Sequence, residues 1–251
     1  MSSTEPSKPA EPASAPHSAV SPWDQRALSI LTAEHSSLAS ARSLAYNEAF
    51  TRIGMFLTFL SISFVALALI AQATSFADPF LGITAIALTF DFVIGLITFG
   101  RILGASSDDL LALQAMARVR HGYLQIAPHL EPYFSAGTSD DLEGVMRSYR
   151  VPSSRRRGAV YALTTSTGMT AIIVALVGGV LVGVLTMLVE LDTAVAVALG
   201  AVSALVVFAA AGVVAARYFT TDQARLEVRF PASPGGSSEP AAGNGLDQLE
   251  T

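Results

Sequence analysis

The chain has 251 residues, of which 51% are hydrophobic and only 14% are charged, with a formal net charge of −5. Soluble domains carry about 25% charged residues, so this composition argues against a compact body in water and indicates a membrane protein. The acidic balance disfavours a nucleic-acid surface. The sequence contains no cysteine, which excludes a disulfide framework and a thiolate metal site.

The N-terminal region is predicted to contain a disordered tail followed by a helix. Residues 1–20 are mostly Ser, Pro, Ala and Glu, which cannot offset the entropy of ordering. In the sequence SPWD, Ser21 can cap a helix and Asp24 can complete a capping box. We therefore predict a cytoplasmic helix over 21–52 that leads into the first span, with an apolar stripe of Leu28, Leu31, Leu38 and Ala45. This long polar region is unlike a cleavable signal peptide, so the first span should be retained.

Four apolar stretches are long enough to cross a hydrocarbon core about 30 Å thick, which takes roughly 20 helical residues. They are 53–71, 80–100, 167–189 and 193–216. The predicted fold is an all-α membrane protein with two transmembrane helical hairpins, within 53–100 and 158–216, together with cytoplasmic amphipathic helices and disordered tails. The second tail is predicted over 217–251, whose end is rich in Pro, Gly and Ser.

Arginines predict the orientation of these spans. One arginine stands near one end of each span, and the four ends share a side if the chain crosses four times: Arg52, Arg101, Arg157 and Arg217. The connections at the opposite ends contain no Lys or Arg. The positive-inside rule assigns the arginine-bearing side, and with it both termini, to the cytoplasm.

The second span carries one acidic residue, Asp91, near its middle. A carboxylate at mid-membrane costs about 2.5 to 3.5 kcal/mol, which the apolar residues of the span offset at about 0.3 to 0.6 kcal/mol each. Because no span contains Lys, Arg or His, we expect a protonated carboxyl that is hydrogen-bonded to the hydroxyl groups of Ser61, Ser63 and Ser203. Asp91 is then either a structural polar clamp, which the lack of further acids favours, or a proton or ion site.

The loop 101–157 is predicted to be cytoplasmic and helical. A helix is expected over 104–127, and Ser106 and Asp109 can cap a fresh start if the chain breaks near Gly104. One side of this helix is apolar and consists of Leu110, Leu113, Met116, Ala117 and Leu124.

The end of this loop returns the chain to the membrane. Pro128 and Pro132 should end the long helix, and a short helix is predicted over 139–149. The basic run that follows is typical of a topology determinant and could also hold anionic lipid headgroups; it consists of Arg155, Arg156 and Arg157.

Small residues recur every four positions along the third span and form a packing face of Ala171, Ala175, Gly179 and Gly183. Such a face lets a second helix approach closely. The short turn after this span favours packing against the fourth span, with association between subunits as the alternative.

Other chemistry finds little support in the sequence. His121 and His129 are eight residues apart, and nothing supplies a third metal ligand at suitable spacing. No phosphate loop, nucleophile elbow or carboxylate pair is present. We therefore expect no catalytic residue, no cofactor and no metal.

Two stretches, ARSLAYNEAFTRIGMFLTFLS and MARVRHGYLQIAPHLEPYF, resemble an uncharacterised family of bacterial multi-span inner-membrane proteins. The resemblance covers about residues 25–216 and is most specific at 116–134. It implies a four-helix protein of the bacterial inner membrane and no particular activity. The signature positions that it implies are Arg118, Arg120, Tyr123, Pro128, Leu130, Pro132, Tyr133 and Phe134. By themselves these residues indicate a helix end and an aromatic-proline turn.

Two classes of function remain open. In the first, the cytoplasmic helices form a small antiparallel, coiled-coil-like module, and the protein is a scaffold or sensor that binds a cytoplasmic protein or a second copy of the chain. In the second, subunits assemble into an ion-conducting pore or small transporter that uses Asp91. The lipid bilayer is the surrounding partner in both, and no nucleic acid is expected.

Overall fold

A computed structural model describes residues 21–74, 79–149 and 162–232. These residues form helices and no strand, and four of the helices are long and apolar enough to cross a membrane. The helices are α1 (Pro22–Thr74), α2 (Pro79–Ile126), a 3₁₀ helix (Pro128–Tyr133), α3 (Leu142–Tyr149), α4 (Ser166–Leu188) and α5 (Thr193–Arg225). The predicted tail over 1–20, most of the predicted tail over 217–251 and the basic run 155–157 lie outside the described residues.

The first two helices are much longer than a membrane crossing needs. α1 has 53 residues and α2 has 48, which correspond to about 80 and 72 Å at about 1.5 Å per residue, against a hydrocarbon core of about 30 Å. The remainder forms two polar extensions, 22–52 of α1 and 101–126 of α2. At the start of α1, the backbone N–H of Asp24 donates to Ser21 Oγ at 3.1 Å, and Ser21 Oγ donates to the Asp24 carboxylate at 2.7 Å.

The helix does not break near Gly104, so the fresh start that Ser106 and Asp109 could have capped does not occur. α2 continues without interruption from Pro79 to Ile126, and Ser106 donates to the carbonyl of Ile102 within the same helix. A glycine in a helix interior costs only about 1 kcal/mol relative to alanine. Packing of the flanking turns against α1 outweighs this cost. Asp109 is therefore free to bind α1 instead of capping a helix.

In the contacts between α1 and α2, residue numbers fall along α1 as they rise along α2. Ser63 contacts Asp91, Arg42 contacts Asp109, and Thr32 contacts Tyr123. The two helices therefore run in opposite directions and touch along both their apolar parts and their extensions.

The less exposed positions of α1, and a subset of those of α2, recur at intervals of three and four residues. We call these positions the seam. In α1 they include Leu31, His35, Leu38, Arg42, Ala45, Phe56, Leu60, Ser63 and Leu67. In α2 they include Leu88, Asp91, Gly95, Thr98, Ile102, Asp109, Leu113, Met116 and Arg120. A repeat of seven residues keeps one face of a helix turned toward its partner over many turns.

Among the four long helices, α2 contacts α1 and α4, and α4 contacts α5. α2 also contacts α5, where Phe99 and Leu103 lie in one cluster with Phe208. One core cluster joins α1, α2 and α4 and consists of Phe56, Leu60, Leu88, Val174, Val177 and Leu181. A second core lies in the extensions, where Leu110, Leu113, Met116 and Val145 pack with Leu38, Tyr149 and Leu226. The second core links α3 and the end of α5 to the extensions.

α3 and α5 differ in extent from the predicted helices. α3 begins at Leu142, three residues later than predicted, because Asp141 accepts a hydrogen bond from the backbone N–H of Gly144 at 2.8 Å. α5 begins where the fourth span was predicted but continues to Arg225, nine residues past the predicted end of that span. Its last turns reach the extension of α2.

Candidate functional site

Polar side chains interrupt the seam at three levels, and the first lies within the apolar parts of the helices. Asp91 is 1% exposed, and Ser63 Oγ of α1 donates to its Oδ1 at 3.0 Å. The other oxygen, Oδ2, has no hydrogen-bond partner among the described residues. Next to it, a Cβ on Gly95 would lie 2.9 Å from Val174 and 3.0 Å from Phe56. The carboxyl group is therefore enclosed by tightly packed apolar side chains.

The other two predicted serines do not bind Asp91 in the described structure. Ser61 donates to the carbonyl of Leu57 in its own helix and is exposed. Residues two apart point to different sides of a helix, so Ser61 and Ser63 cannot both face α2. Ser203 lies on α5, at the far side of α4 from α1, and no hydrogen bond joins it to Asp91.

The second level is built around Asp109, whose side chain is 4% exposed. Arg42 of α1 donates to both carboxylate oxygens, through Nε to Oδ1 and through Nη2 to Oδ2 at 3.3 Å. Tyr46 donates to Oδ2 at 2.8 Å, and Tyr149 of α3 donates to the same atom. One carboxylate thus holds α1, α2 and α3 together.

The titration of the partners reflects this arrangement. Burial raises the pKa of Tyr149 far above its usual value, and the hydrogen bond to Asp109 raises it further. Burial and Asp109 also raise the pKa of Tyr46. Burial alone would lower the pKa of Arg42, but its bond to Asp109 outweighs burial and raises it. Arg42 therefore stays charged and the two phenols stay neutral, which suits a structural cluster.

The third level contains Arg120 of α2 and His35 of α1. Arg120 is 7% exposed, and its Nη1 donates to the carbonyl of Gly137. The His35 ring lies 6.3 Å from the Tyr123 ring, one turn from Arg120 on the same helix. His35 Nδ1 is buried and has no hydrogen-bond partner among the described residues. His35 lies one turn from Thr32, whose hydroxyl accepts a hydrogen bond from Tyr123 at 3.5 Å.

Another buried carboxylate, Asp140, binds the chain segment that follows α5. We call this segment, 226–232, the strap. Asp140 is fully buried and accepts hydrogen bonds from Arg118 Nε at 2.8 Å and from the backbone N–H groups of Arg229 and Phe230 at 2.9 and 2.7 Å. Gln114 donates to the carbonyl oxygens of Asp140 and Glu227 at 3.0 and 3.1 Å.

These bonds explain the charge state of the site. Burial alone would raise the pKa of Asp140, but the bonds from Arg118, Arg229 and Phe230 outweigh burial and lower it below its usual value. The pKa of Asp141 is also lowered, because the backbone N–H groups of Ala232 and Gly144 outweigh burial. The carboxylates of both residues therefore remain ionised and hold the strap against α2 and α3.

The arginines that predicted orientation lie near one another where the structure describes them. Glu48 of α1 accepts hydrogen bonds from both Arg52 and Arg101 at 2.9 Å, so these two span ends are at the same level. At the end of α5, Asp222 accepts a hydrogen bond from Ser107 of α2, which brings Arg217 to the same end of the bundle. The predicted lipid or topology residues Arg155, Arg156 and Arg157 lie outside the described residues.

The predicted small-residue face of α4 is divided between two neighbours. Ala171 packs with Phe99 and Leu103 of α2, and Ala175 is buried. Gly179 faces α5, where a Cβ on it would lie 2.7 Å from the carbonyl oxygen of Gly200. A Cβ on Gly183 would lie 3.4 Å from the carbonyl of Ala196, also on α5. The glycines thus serve the contact between α4 and α5.

The implied signature positions surround the end of α2. Arg118 and Arg120 each donate to loop carbonyls, and the rings of Tyr123 and Phe134 stack with centroids 6.4 Å apart. Tyr133 is 82% exposed, and His121 stacks on Phe230 of the strap at 4.3 Å. In the described part of the chain no group of three His, Asp or Glu residues could hold a metal ion.

Comparison of the chain with protein-family models, with curated proteins and with solved structures gave no match. The resemblance to an uncharacterised family of bacterial inner-membrane proteins therefore stays a prediction.

Sequence reasoning missed the two carboxylate clusters. Asp109 was considered only as a cap for a helix break near Gly104, and Asp140 and Arg118 were given no common role. The sequence did contain a signal for the first cluster. Leu38 and Ala45 are seven residues apart, and Arg42 stands between them at a helix position where the repeat leads us to expect an apolar residue. Its partner could not be read without the register of the two helices.

Proposed function

We propose that this protein is a non-enzymatic scaffold or sensor of the bacterial inner membrane, with two transmembrane hairpins and both termini in the cytoplasm. The hairpins are α1 with α2 and α4 with α5. The extensions of α1 and α2 form an antiparallel coiled coil on the cytoplasmic side. A protein partner or a second copy of the chain binds this coiled coil.

The observation that carries this proposal is the continuity of α1 and α2 from their apolar parts into their extensions. A helix without a break transmits a shift at one end to the other end, because its backbone hydrogen bonds resist bending. The strap supplies the second connection, since Asp140 fastens the end of α5 to the extension of α2. A change in the packing of the two hairpins would therefore act on the cytoplasmic coiled coil.

The outer side of the α1 extension supports a binding role. Ile30 and Leu44 are 63% and 70% exposed and lie fourteen residues apart, which is two seven-residue repeats. They therefore lie on one line of the helix surface, away from the seam. Large aliphatic side chains on an extension that is proposed to lie in water are typical of a face that packs against another helix.

Site-specific photocrosslinking tests this function. A photoreactive residue at Ile30 or Leu44, in the full-length protein in its native membrane, should give a discrete adduct with one partner. The same residue at Ser36 or Ser43, which are exposed on another side of α1, should not. An adduct of twice the chain mass identifies a second copy, and another defined mass identifies a protein partner. Absence of adducts, or equal adducts at all four positions, contradicts the proposal.

The alternative function is an oligomeric pore or small transporter that uses Asp91. The enclosure of Asp91 by Gly95, Phe56 and Val174 favours a dry packing role instead. Ion flux into liposomes distinguishes the two. The scaffold predicts no flux for either the native chain or Asp91→Asn, whereas flux in the native chain that Asp91→Asn abolishes would favour the pore.

A further inference from the structure

The strap is held through the N–H groups of its main chain. Those of Arg229 and Phe230 donate to the Asp140 carboxylate at 2.9 and 2.7 Å, and that of Ala232 donates to the Asp141 carboxylate at 3.0 Å. The residue before Ala232 is a proline, which has no N–H group. Every N–H group in this run of four residues therefore has a carboxylate acceptor.

The carbonyl groups of the strap are bound in the same manner. Gln114 and Arg118 both donate to the carbonyl oxygen of Glu227, and the backbone N–H of Asp140 donates to that of Phe230 at 3.1 Å. Among the described residues, no side chain of the strap is hydrogen-bonded to this surface. We call the surface the strap site; it consists of Gln114, Arg118, His121, Asp140 and Asp141.

Two side chains of the strap pack against their surroundings. Leu226 lies in the second core, and the ring of Phe230 stacks on the ring of His121 with centroids 4.3 Å apart. The three residues between Leu226 and Phe230 have exposed side chains. The strap site therefore selects a leucine and an aromatic residue four positions apart and leaves the intervening residues free to vary.

The strap site needs a main-chain occupant. With the strap in place, Asp140 and Gln114 are 0% and 5% exposed. Without an occupant, Asp140 would keep Arg118 as a donor but lose two N–H donors, and a partly satisfied polar network is costly. Because backbone groups are alike in all peptides, the bonds that hold the strap suit any segment with the same two anchoring side chains.

We propose that the strap site is a peptide-binding site, which the strap fills in cis and a segment of another protein with the pattern Leu-x-x-x-Phe-Pro fills in trans. The proline belongs to the pattern because the site offers no acceptor for an N–H group at that position. A bound segment displaces the strap and releases the end of α5 from the extension of α2. This site is separate from the line of Ile30 and Leu44 and does not require the scaffold function.

The position of α5 disfavours a second copy of the chain as the source of the segment. The strap begins directly after Arg225, the last residue of α5, so the strap of another copy would bring its own helix end to the site. That space already holds the last turn of this copy's α5, where Asp222 accepts a hydrogen bond from Ser107 of α2. A segment without a helix attached at this point has no such conflict.

Fluorescence anisotropy of a labelled peptide, RLEVRFPA, the sequence of 225–232, tests the site in purified full-length protein in detergent. Phe230→Pro empties the strap site without altering it, because the strap then lacks both the ring and an N–H group that Asp140 accepts. This variant should bind one peptide per chain. The native chain should bind at least about tenfold more weakly, because the tethered strap competes at a high effective concentration. No saturable binding by Phe230→Pro, or equal binding by the native chain, overturns the proposal.

Altered peptides and further substitutions assign the binding to the strap site. A peptide with alanine in place of phenylalanine should bind the Phe230→Pro chain about tenfold more weakly, because the ring contact is lost. A peptide with alanine in place of valine, an exposed position of the strap, should bind as before. In the same chain, Asp140→Asn should abolish binding, and Asp108→Asn, at an exposed position of α2, should not change it. Equal affinity of the two altered peptides, or unchanged binding after Asp140→Asn, contradicts the assignment.

Hydrogen exchange of the native chain tests the release of the strap without any variant. If the strap leaves its site while the helices stay folded, the amides of 227–232 exchange through local opening. They should then exchange at least about tenfold faster than those of 110–118 in α2. Equal protection of the two segments would show that the strap opens only when the whole protein unfolds, and it would overturn the proposal.

Discussion

At the residue scale, Asp140 joins parts of the chain that are about ninety residues apart. It receives one guanidinium and two backbone N–H groups while fully buried. A buried carboxylate with these donors stabilises the fold only while it is ionised, because the N–H groups need an acceptor. Asp140 is therefore one of several side chains that hold the strap, together with Gln114, Arg118 and Asp141.

Asp140→Asn should lower the free energy of unfolding by roughly 2 to 4 kcal/mol, because charge-assisted hydrogen bonds are lost and Arg118 is left without a counter-ion. Hydrogen exchange of the full-length protein in detergent should become faster across 226–232. The matched control is Asp108→Asn, since Asp108 is exposed on the same helix as Asp109. Unchanged exchange of the strap in Asp140→Asn would show that Asp140 does not hold it.

The same carboxylate predicts a dependence on pH. The pKa of Asp140 is lower in the folded protein than in an unfolded chain. Its contribution to stability is therefore complete above about pH 4 and is lost as the pH falls through the folded pKa. In native protein, exchange of the strap should accelerate over that acid range, and in Asp140→Asn this acceleration should be absent.

At the element scale, the sequence predicted the existence of every long helix because apolar length and capping residues are local signals. The helix break considered near Gly104 does not occur, because packing across the seam outweighs a local preference. The partners of Asp109 and Asp140 could not be predicted from the sequence, because the register between helices depends on contacts between residues that are far apart in the chain. Similar depth in the membrane correctly predicted Ser63 as a partner of Asp91. The same criterion also selected Ser61, which faces another side of α1, because it ignores the rotation of the helix about its axis.

The contact between α4 and α5 gives a prediction for this scale. A Cβ on Gly200 would lie 2.8 Å from the carbonyl oxygen of Gly179, and a backbone atom cannot move aside alone. Gly200→Ala should therefore separate the helices and destabilise the protein by about 1 to 3 kcal/mol. Gly212→Ala, in the same helix with nothing within 4 Å of the new Cβ, is the control and should be neutral or stabilising by up to about 1 kcal/mol. Thermal unfolding in detergent measures both, and equal midpoints would refute the close contact.

At the scale of the whole molecule, the four long helices form a bundle whose polar extensions and strap lie at one end. Arg52, Arg101 and Arg217 lie at that same end. The turn between α4 and α5, which contains Glu190, lies at the other end of these two helices. The scaffold account requires the end with the extensions to be cytoplasmic, because a cytoplasmic partner could not reach it otherwise.

Labelling of single cysteines in intact cells tests this requirement most directly, since the native chain contains no cysteine. Glu190→Cys is in the turn between α4 and α5, and Asp108→Cys is on the extension of α2; both positions are exposed. A membrane-impermeant maleimide should label Glu190→Cys in intact cells and Asp108→Cys only after the membrane is opened. Labelling of Asp108→Cys in intact cells would contradict the account.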